Sequence, residues 1–135
     1  MTTTAELLAA ISTHLAEFEL PASASVHVTA AASEPQVSVQ LAGRTPSAIA
    51  QGLLAWADTL TEITTEAWRV PHGDSIHLSV TGLLPGGAAI RVYGGMPITD
   101  RGPGAGLEPD TTTTLPLATL RHLATPGHAT PEATL

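Results

Sequence analysis

Two histidines and one aspartate fall within six residues of the chain, at His72, Asp74 and His77, and these residue types can bind zinc. The same stretch has a second explanation. Pro71 to Asp74 has the composition of a turn, in which Gly73 and Asp74 serve the backbone rather than a ligand. His77 then falls on the polar side of the strand that follows. The sequence therefore predicts no metal site and no cofactor.

Catalytic patterns are weak throughout the chain. No serine or threonine stands in a Gly-flanked turn directly after a predicted strand, which is the usual setting of a hydrolase nucleophile. The Gly-rich run from Gly102 to Gly106 contains Pro103, which removes a backbone donor that a phosphate cradle needs. Close pairs of carboxylates occur at a helix end, on a strand surface and near the C-terminus, as Glu17/Glu19, Glu62/Glu66 and Glu108/Asp110. The sequence does not favour an enzyme.

Three consecutive antiparallel strands are predicted between residues 62 and 95. Apolar residues stand at every second position and Pro/Gly turns separate the runs, which is typical of strands with one dry and one wet face. The residues assigned to the dry face are Trp68, Val70, Ile76, Leu78, Val80, Ile90 and Val92. Trp68 is therefore expected in the core, together with Trp56 from a helix.

The wet face of this sheet is the candidate surface for a ligand or a partner. With the dry residues removed it carries two Arg, two His and no carboxylate, although the chain has 12 acidic and 5 basic residues. Arginine has a planar fork that suits carboxylate or phosphate, and histidine gains charge as the pH falls. A solvated face of chance composition is the alternative explanation. The candidate residues are His27, Gln40, Arg69, His77, Arg91 and Tyr93.

The elements that must position these residues begin with a helix and a hairpin. Thr3 and Glu6 have the spacing of a capping box, and apolar residues then recur at helical spacing until Pro21. Alternating residues around Val26 and Val39 predict two hairpin strands. A second helix is predicted to begin at Thr45-Pro46 and to carry one apolar stripe. The resulting fold is α+β in the order αββαβββ: a two-layer sandwich with two helices on one face of a mainly antiparallel five-stranded sheet.

The chain changes character near Met96. Residues 1–95 are predicted to form one compact domain, and residues 96–135, rich in Pro, Gly and Thr, a mostly disordered, flexible C-terminal tail. Leu117, Leu120 and Leu123 have the spacing for one or two helical turns within that tail.

Composition excludes some classes of partner. A net charge of −7 opposes binding to nucleic acid and to anionic membranes, and no signal peptide or membrane-spanning run is visible, so a cytoplasmic protein is expected. The expected function is a non-enzymatic binding or adaptor module whose partner is another protein or a second copy in a homodimer. The alternative is a binder of small anionic ligands, or an enzyme, that uses the His/Arg/Tyr surface.

Overall fold

The computed structural model describes residues 3–30, 36–72, 74–99 and 105–125. Within them lie three helices and six strands, none of the helices being long and apolar enough to cross a membrane. In chain order they are α1 (Thr4–Glu17), β1 (Ser23–Val28), β2 (Val37–Leu41), α2 (Pro46–Ala57), β3 (Thr61–Arg69), β4 (Ser75–Leu83), β5 (Ala89–Pro97), β6 (Thr112–Thr114) and α3 (Leu117–Ala124).

The first two helices begin where the sequence predicts. The Thr3 hydroxyl accepts a hydrogen bond from the Glu6 amide at 3.1 Å, and the Glu6 carboxylate accepts one from the Thr3 amide at 2.9 Å, which completes the capping box. Thr45 caps α2 by accepting from the amide of Ala48 at 3.1 Å. Both caps supply partners for amides that no helical turn can satisfy.

The sheet is mixed and has the strand order β1-β2-β5-β4-β3-β6. The α+β class is confirmed, but the predicted numbers of five strands and two helices are wrong, since β6 and α3 add one of each. The pairing of β2 with β5 is parallel, and the other four pairings are antiparallel. This follows from the path of the chain: α2 leads out of β2, and the β3–β4–β5 meander returns β5 to the side of β2.

One hydrophobic core lies between the helices and one face of the sheet. Alternate residues of the three central strands are buried there, and all three helices contribute to the same cluster. Helix and sheet approach closely at Gly94 in β5, where an added Cβ would lie 2.9 Å from side-chain atoms of Ile49 in α2. The fully buried members include Leu7, Ile49, Leu53, Trp56, Ile76, Leu78, Val80, Ile90, Val92 and Leu120.

Strand β3 has the opposite orientation to the predicted one. Ala67 pairs with the buried Leu78 and is itself buried, whereas Trp68 pairs with His77 on the other face and is only half-buried. The prediction that Trp68 lies in the core is wrong. Glu66 lies on the same side of the strand as Trp68, so an inward Trp68 would also turn this carboxylate towards the core, where an unpaired charge is costly. At the edge of β3 the Leu115 amide donates to the carbonyl of Thr65 at 2.9 Å, and the Leu115 side chain joins the same core as Ala67.

The C-terminal segment contains two elements that the sequence analysis assigned to the tail. Thr112–Thr114 forms β6 against β3, which suits the strand preference of β-branched threonine. Helix α3 packs on α2, and the Gln51 side-chain amide donates to the carbonyl of Ala124 at 2.9 Å. Residues 100–104, with most of the Gly-rich run, and residues 126–135 lie outside the described residues. The division into a domain of residues 1–95 and a tail stays a prediction.

The burial of Leu120 gives a test of this docking. We expect Leu120→Ala to lower the free energy of unfolding by about 2–5 kcal/mol, because its fully buried side chain joins α3 to the core. The neighbouring exposed residue supplies the control, since Arg121→Ala should change the free energy of unfolding by less than about 0.5 kcal/mol. Urea unfolding followed by circular dichroism measures both. Equal midpoints for the two variants would show that α3 is not part of the folded core.

A histidine takes the third position of the buried stripe of α1. His14 follows Leu7 and Ile11 at helical spacing, is only 4% exposed, and stacks on Trp56 with ring centroids 5.6 Å apart. Its Nε2 lies 2.7 Å from the hydroxyl of Thr59. Burial lowers the pKa of His14 below its ordinary value, and the nearby Glu17 carboxylate opposes this only partly. His14 is therefore neutral in the folded protein at neutral pH.

This burial makes stability depend on pH in a defined direction. The unfolded chain binds a proton at His14 below about pH 6.5, whereas the folded protein resists it until the lower, folded pKa is reached. The contribution of buried His14 to stability is thus fully present above about pH 6.5 and is lost as the pH falls from there towards the lower, folded pKa. We expect His14→Gln to flatten the decline in melting temperature between about pH 7 and pH 5 relative to the wild type. An unchanged slope would exclude His14 as its source.

Candidate binding surface on the open sheet face

The face of the sheet opposite the core, here called the open face, has no described helix packed on it. Its residues are those that alternate with the buried ones, so that Ser38, Arg91 and Thr81 form one row across β2, β5 and β4. Gln40, Tyr93 and Ser79 form the next row. Ser79 is only 4% exposed although it lies on this face, which shows that the larger side chains around it cover the sheet backbone.

Three aromatic rings and a guanidinium form a continuous stripe on the open face. The rings of Trp68 and His77 meet edge to face with centroids 5.3 Å apart. His77 stacks on Tyr93 at 5.6 Å, and the Arg91 guanidinium carbon lies 4.5 Å from the centre of the Tyr93 ring. The stripe of Trp68, His77, Tyr93 and Arg91 thus spans three neighbouring strands. Each group is held by the next, so little conformational freedom is left to lose on binding.

The structure brings together four of the six residues that the sequence analysis proposed. Gln40 pairs with Tyr93, so it borders the stripe formed by His77, Tyr93 and Arg91. His27 lies on the same face in the edge strand β1, two strands from Arg91 and therefore about 10 Å away. It is exposed and belongs to the rim of the face rather than to the stripe.

Arg69 does not join this group. It pairs with the buried Ile76 and shares the orientation of Ala67, which places it on the core side at the end of β3. There its Nη1 donates to the carbonyl of Leu107 at 2.7 Å, and its buried Nε has no partner within the described part of the chain. The reversed orientation of β3 thus exchanges Arg69 for Trp68 on the open face.

The reversal also brings carboxylates to a face that was expected to have none. Glu66 pairs with Ser79 and shares the orientation of Trp68. Asp110, from the loop before β6, accepts a hydrogen bond from the Trp68 indole at 3.2 Å. Acidic groups therefore lie at the β3 side of the stripe and Arg91 at the side nearer β2. No ion pair joins Arg91 to a carboxylate among the residues that the structure describes.

A cavity of about 570 Å³ adjoins the stripe at the ends of β2 and β5. Gly95 forms part of its wall, and an added Cβ there would lie 3.1 Å from the His77 ring, so the missing side chain leaves room for that ring at the edge of the cavity. The described lining contains no carboxylate, and its polar side chains are those of Gln40, Arg44, Ser75 and His77. Sequence analysis missed both Arg44 and Gly95. Gly95 is the antiparallel cross-strand partner of His77, whereas Arg44 follows β2, which comes near β4 only because β2 pairs with β5.

His77 is the titratable group that the stripe and the cavity share. Burial lowers the pKa of His77 below its ordinary value, and the positive charge of Arg91 lowers it further. The imidazole is therefore neutral at neutral pH and can accept or donate a hydrogen bond. His72 and Asp74 do not complete a metal site with it: no cluster of three metal-ligand residues occurs in the described part of the chain.

No protein family model, curated protein or solved structure matches this chain.

The two tryptophans offer a direct test of the open face. Trp56 is fully buried and Trp68 half-buried on the stripe, so the single-tryptophan variants should differ. We expect Trp56→Phe, which retains Trp68, to show red-shifted emission that acrylamide quenches readily. Trp68→Phe should show blue-shifted, shielded emission from Trp56. Similar quenching of the two variants would contradict the orientation of β3.

Proposed function

We propose that this chain is a non-enzymatic binding module and that the stripe on the open face is its contact surface for a protein partner. The observation that carries the proposal is the unbroken series of ring and guanidinium contacts from Trp68 to Arg91 on a face that no described helix covers. Trp, Tyr and Arg are the residue types that dominate the binding energy of protein interfaces, since each offers a large, stiff contact area together with a polar group.

The charges around the stripe support a protein rather than a nucleic acid. Glu66 and Asp110 lie at one side and Arg91 at the other, so a complementary partner carries groups of both signs. A nucleic acid backbone carries one sign only, and the net charge of −7 would repel it. The partner that fits presents an apolar or aromatic group to the rings and a carboxylate to Arg91.

The shape of the surface supports the same conclusion. Six strands at a spacing of about 4.8 Å give a face roughly 25 Å wide, which suits a folded or extended protein segment better than a small molecule alone. The half-buried rings already contact one another, so a partner buries their exposed edges without first having to order them.

The test removes the stripe and leaves the rest of the chain intact. Tagged wild-type protein is compared with Trp68→Thr/Arg91→Ala, and with Leu8→Ala/Arg121→Ala as a matched control that removes one exposed apolar residue and one exposed arginine from the helices. We expect a partner that the wild type and the control retain to bind the stripe variant at least about tenfold more weakly, because these residues form the centre of the contact.

Affinity capture and native mass spectrometry measure the outcome, with circular dichroism to show that the variants are folded. A dimer present in the wild type and the control but absent from the stripe variant would identify the partner as a second copy. Equal retention of every partner by the stripe variant, or no protein bound by the wild type, would contradict the proposal.

A further inference from the structure

We propose that the cavity beside Gly95 is a binding site for a small carboxylate attached to an apolar or aromatic body. Four side chains with polar donors line it, and they come from separate parts of the fold: Gln40 from the end of β2, Arg44 from the loop before α2, and Ser75 and His77 from β4. The site requires neither the protein partner proposed above nor the arginine of the stripe, although it shares His77 with the stripe.

The charge of the lining residues selects a carboxylate over a phosphate. Arg44 supplies one positive charge, Gln40 supplies a neutral amide donor, and His77 is neutral at neutral pH. One guanidinium fork matches the two oxygens of a single carboxylate. A phosphate group carries between one and two negative charges at neutral pH, and this cavity would leave part of that charge unpaired.

The other side chains that line the cavity are apolar, and they favour a ligand with an apolar or aromatic body. Ala24, Ala42 and Pro97 also line the cavity, and the His77 ring belongs to both the cavity and the stripe. A volume of about 570 Å³ lies within the range of small-molecule sites. A planar ring next to the carboxylate would therefore have both apolar side chains and the imidazole ring available for contact.

Gly95 makes room for the His77 ring in the wall of the cavity. Any Cβ at this position would lie 3.1 Å from both Cδ2 and Nε2 of His77, so a side chain would force the ring out of its present position. Gly94, the preceding residue, faces the core and is required there for another reason, namely the close approach of Ile49. The strand thus has a glycine on each face, and the outer one is not explained by core packing.

The experiment follows the ring resonances of His77 by NMR during titration with benzoate at constant ionic strength. Benzamide, with the same ring and no charge, and inorganic phosphate are titrated in parallel. We expect saturable binding of benzoate and affinities at least about tenfold weaker for the other two, since a hydrogen bond to a charged group is lost or a charge is left unpaired. Benzamide binding as tightly as benzoate would overturn the carboxylate assignment, and phosphate binding more tightly would overturn the choice of anion.

Two variants and their controls locate the site. Gly95→Ala and Arg44→Ala should each weaken benzoate binding by about tenfold or more. Gly106→Ala, where an added Cβ meets nothing within 4 Å, and Arg121→Ala, on the exposed side of α3, should leave it unchanged. Equal loss in the control variants, or none in the cavity variants, would place benzoate elsewhere and refute the proposal.

The protonation of His77 supplies a second readout. The charged and titratable groups around it are Arg91 and Tyr93 on β5, Glu66 on β3 and Arg44 after β2. A bound carboxylate favours the imidazolium, so benzoate should raise the pKa of His77 and bind more tightly as the pH falls through that pKa. An unchanged His77 pKa at saturating benzoate would contradict the site. These titrations need no protein partner, so their failure is distinguishable from failure of the proposed function.

Discussion

The packing of α2 against β5 is the contact on which the rest of the fold depends. Ile49 meets the backbone of β5 at Gly94, so closely that no side chain could be added there. This contact places the helix across β4 and β5, the two strands it touches most. It also fixes the direction in which the chain returns to the sheet after β2. Because β5 then lies parallel to β2, the ends of both strands come to the same edge, where Gln40 and Gly95 border one cavity.

The same short piece of β5 therefore serves both faces of the sheet. Gly94 allows the core to close, and Gly95, one residue later and on the other face, leaves room for the His77 ring. The stripe is built outward from this point, since His77 stacks on Tyr93 and Trp68 meets His77. A larger residue at either glycine would disturb a different layer: at Gly94 the helix would be forced away, whereas at Gly95 only a surface ring would move. The stripe and the core are thus connected through one strand but tolerate change to different degrees.

Local patterns predicted the elements well and their relations poorly. The caps at Thr3 and Thr45 and the alternation in β4 and β5 depend on neighbours in sequence, so they could be recognised. The orientation of β3 could not, because the large apolar Trp68 and Val70 suggest that their side of the strand is buried. Thr65 and Ala67 on the other side give little hydrophobic signal, yet they are the buried residues, next to Leu115 some fifty positions away. Of the candidate site, the β4 and β5 residues were predictable from alternation alone. Arg44 was not, because its proximity to His77 depends on the parallel pairing of β2 with β5, which no local signal encodes. The role of Gly95 was missed because a glycine contributes nothing to the alternation, although it pairs directly with His77.

An anion that approaches the open face is subject to both electrostatic repulsion and electrostatic attraction. The whole chain carries a net charge of −7 and repels it at long range, whereas Arg44 and Arg91 attract it only close to the sheet. At physiological salt the Debye length is about 8 Å, so the repulsion from distant acids is largely screened while contacts within hydrogen-bonding distance persist. We therefore expect short-range geometry rather than electrostatic steering to govern the binding that we propose. A surface on an acidic protein cannot select an anionic group by charge alone, so in both proposals contact with the rings has to supply what charge does not.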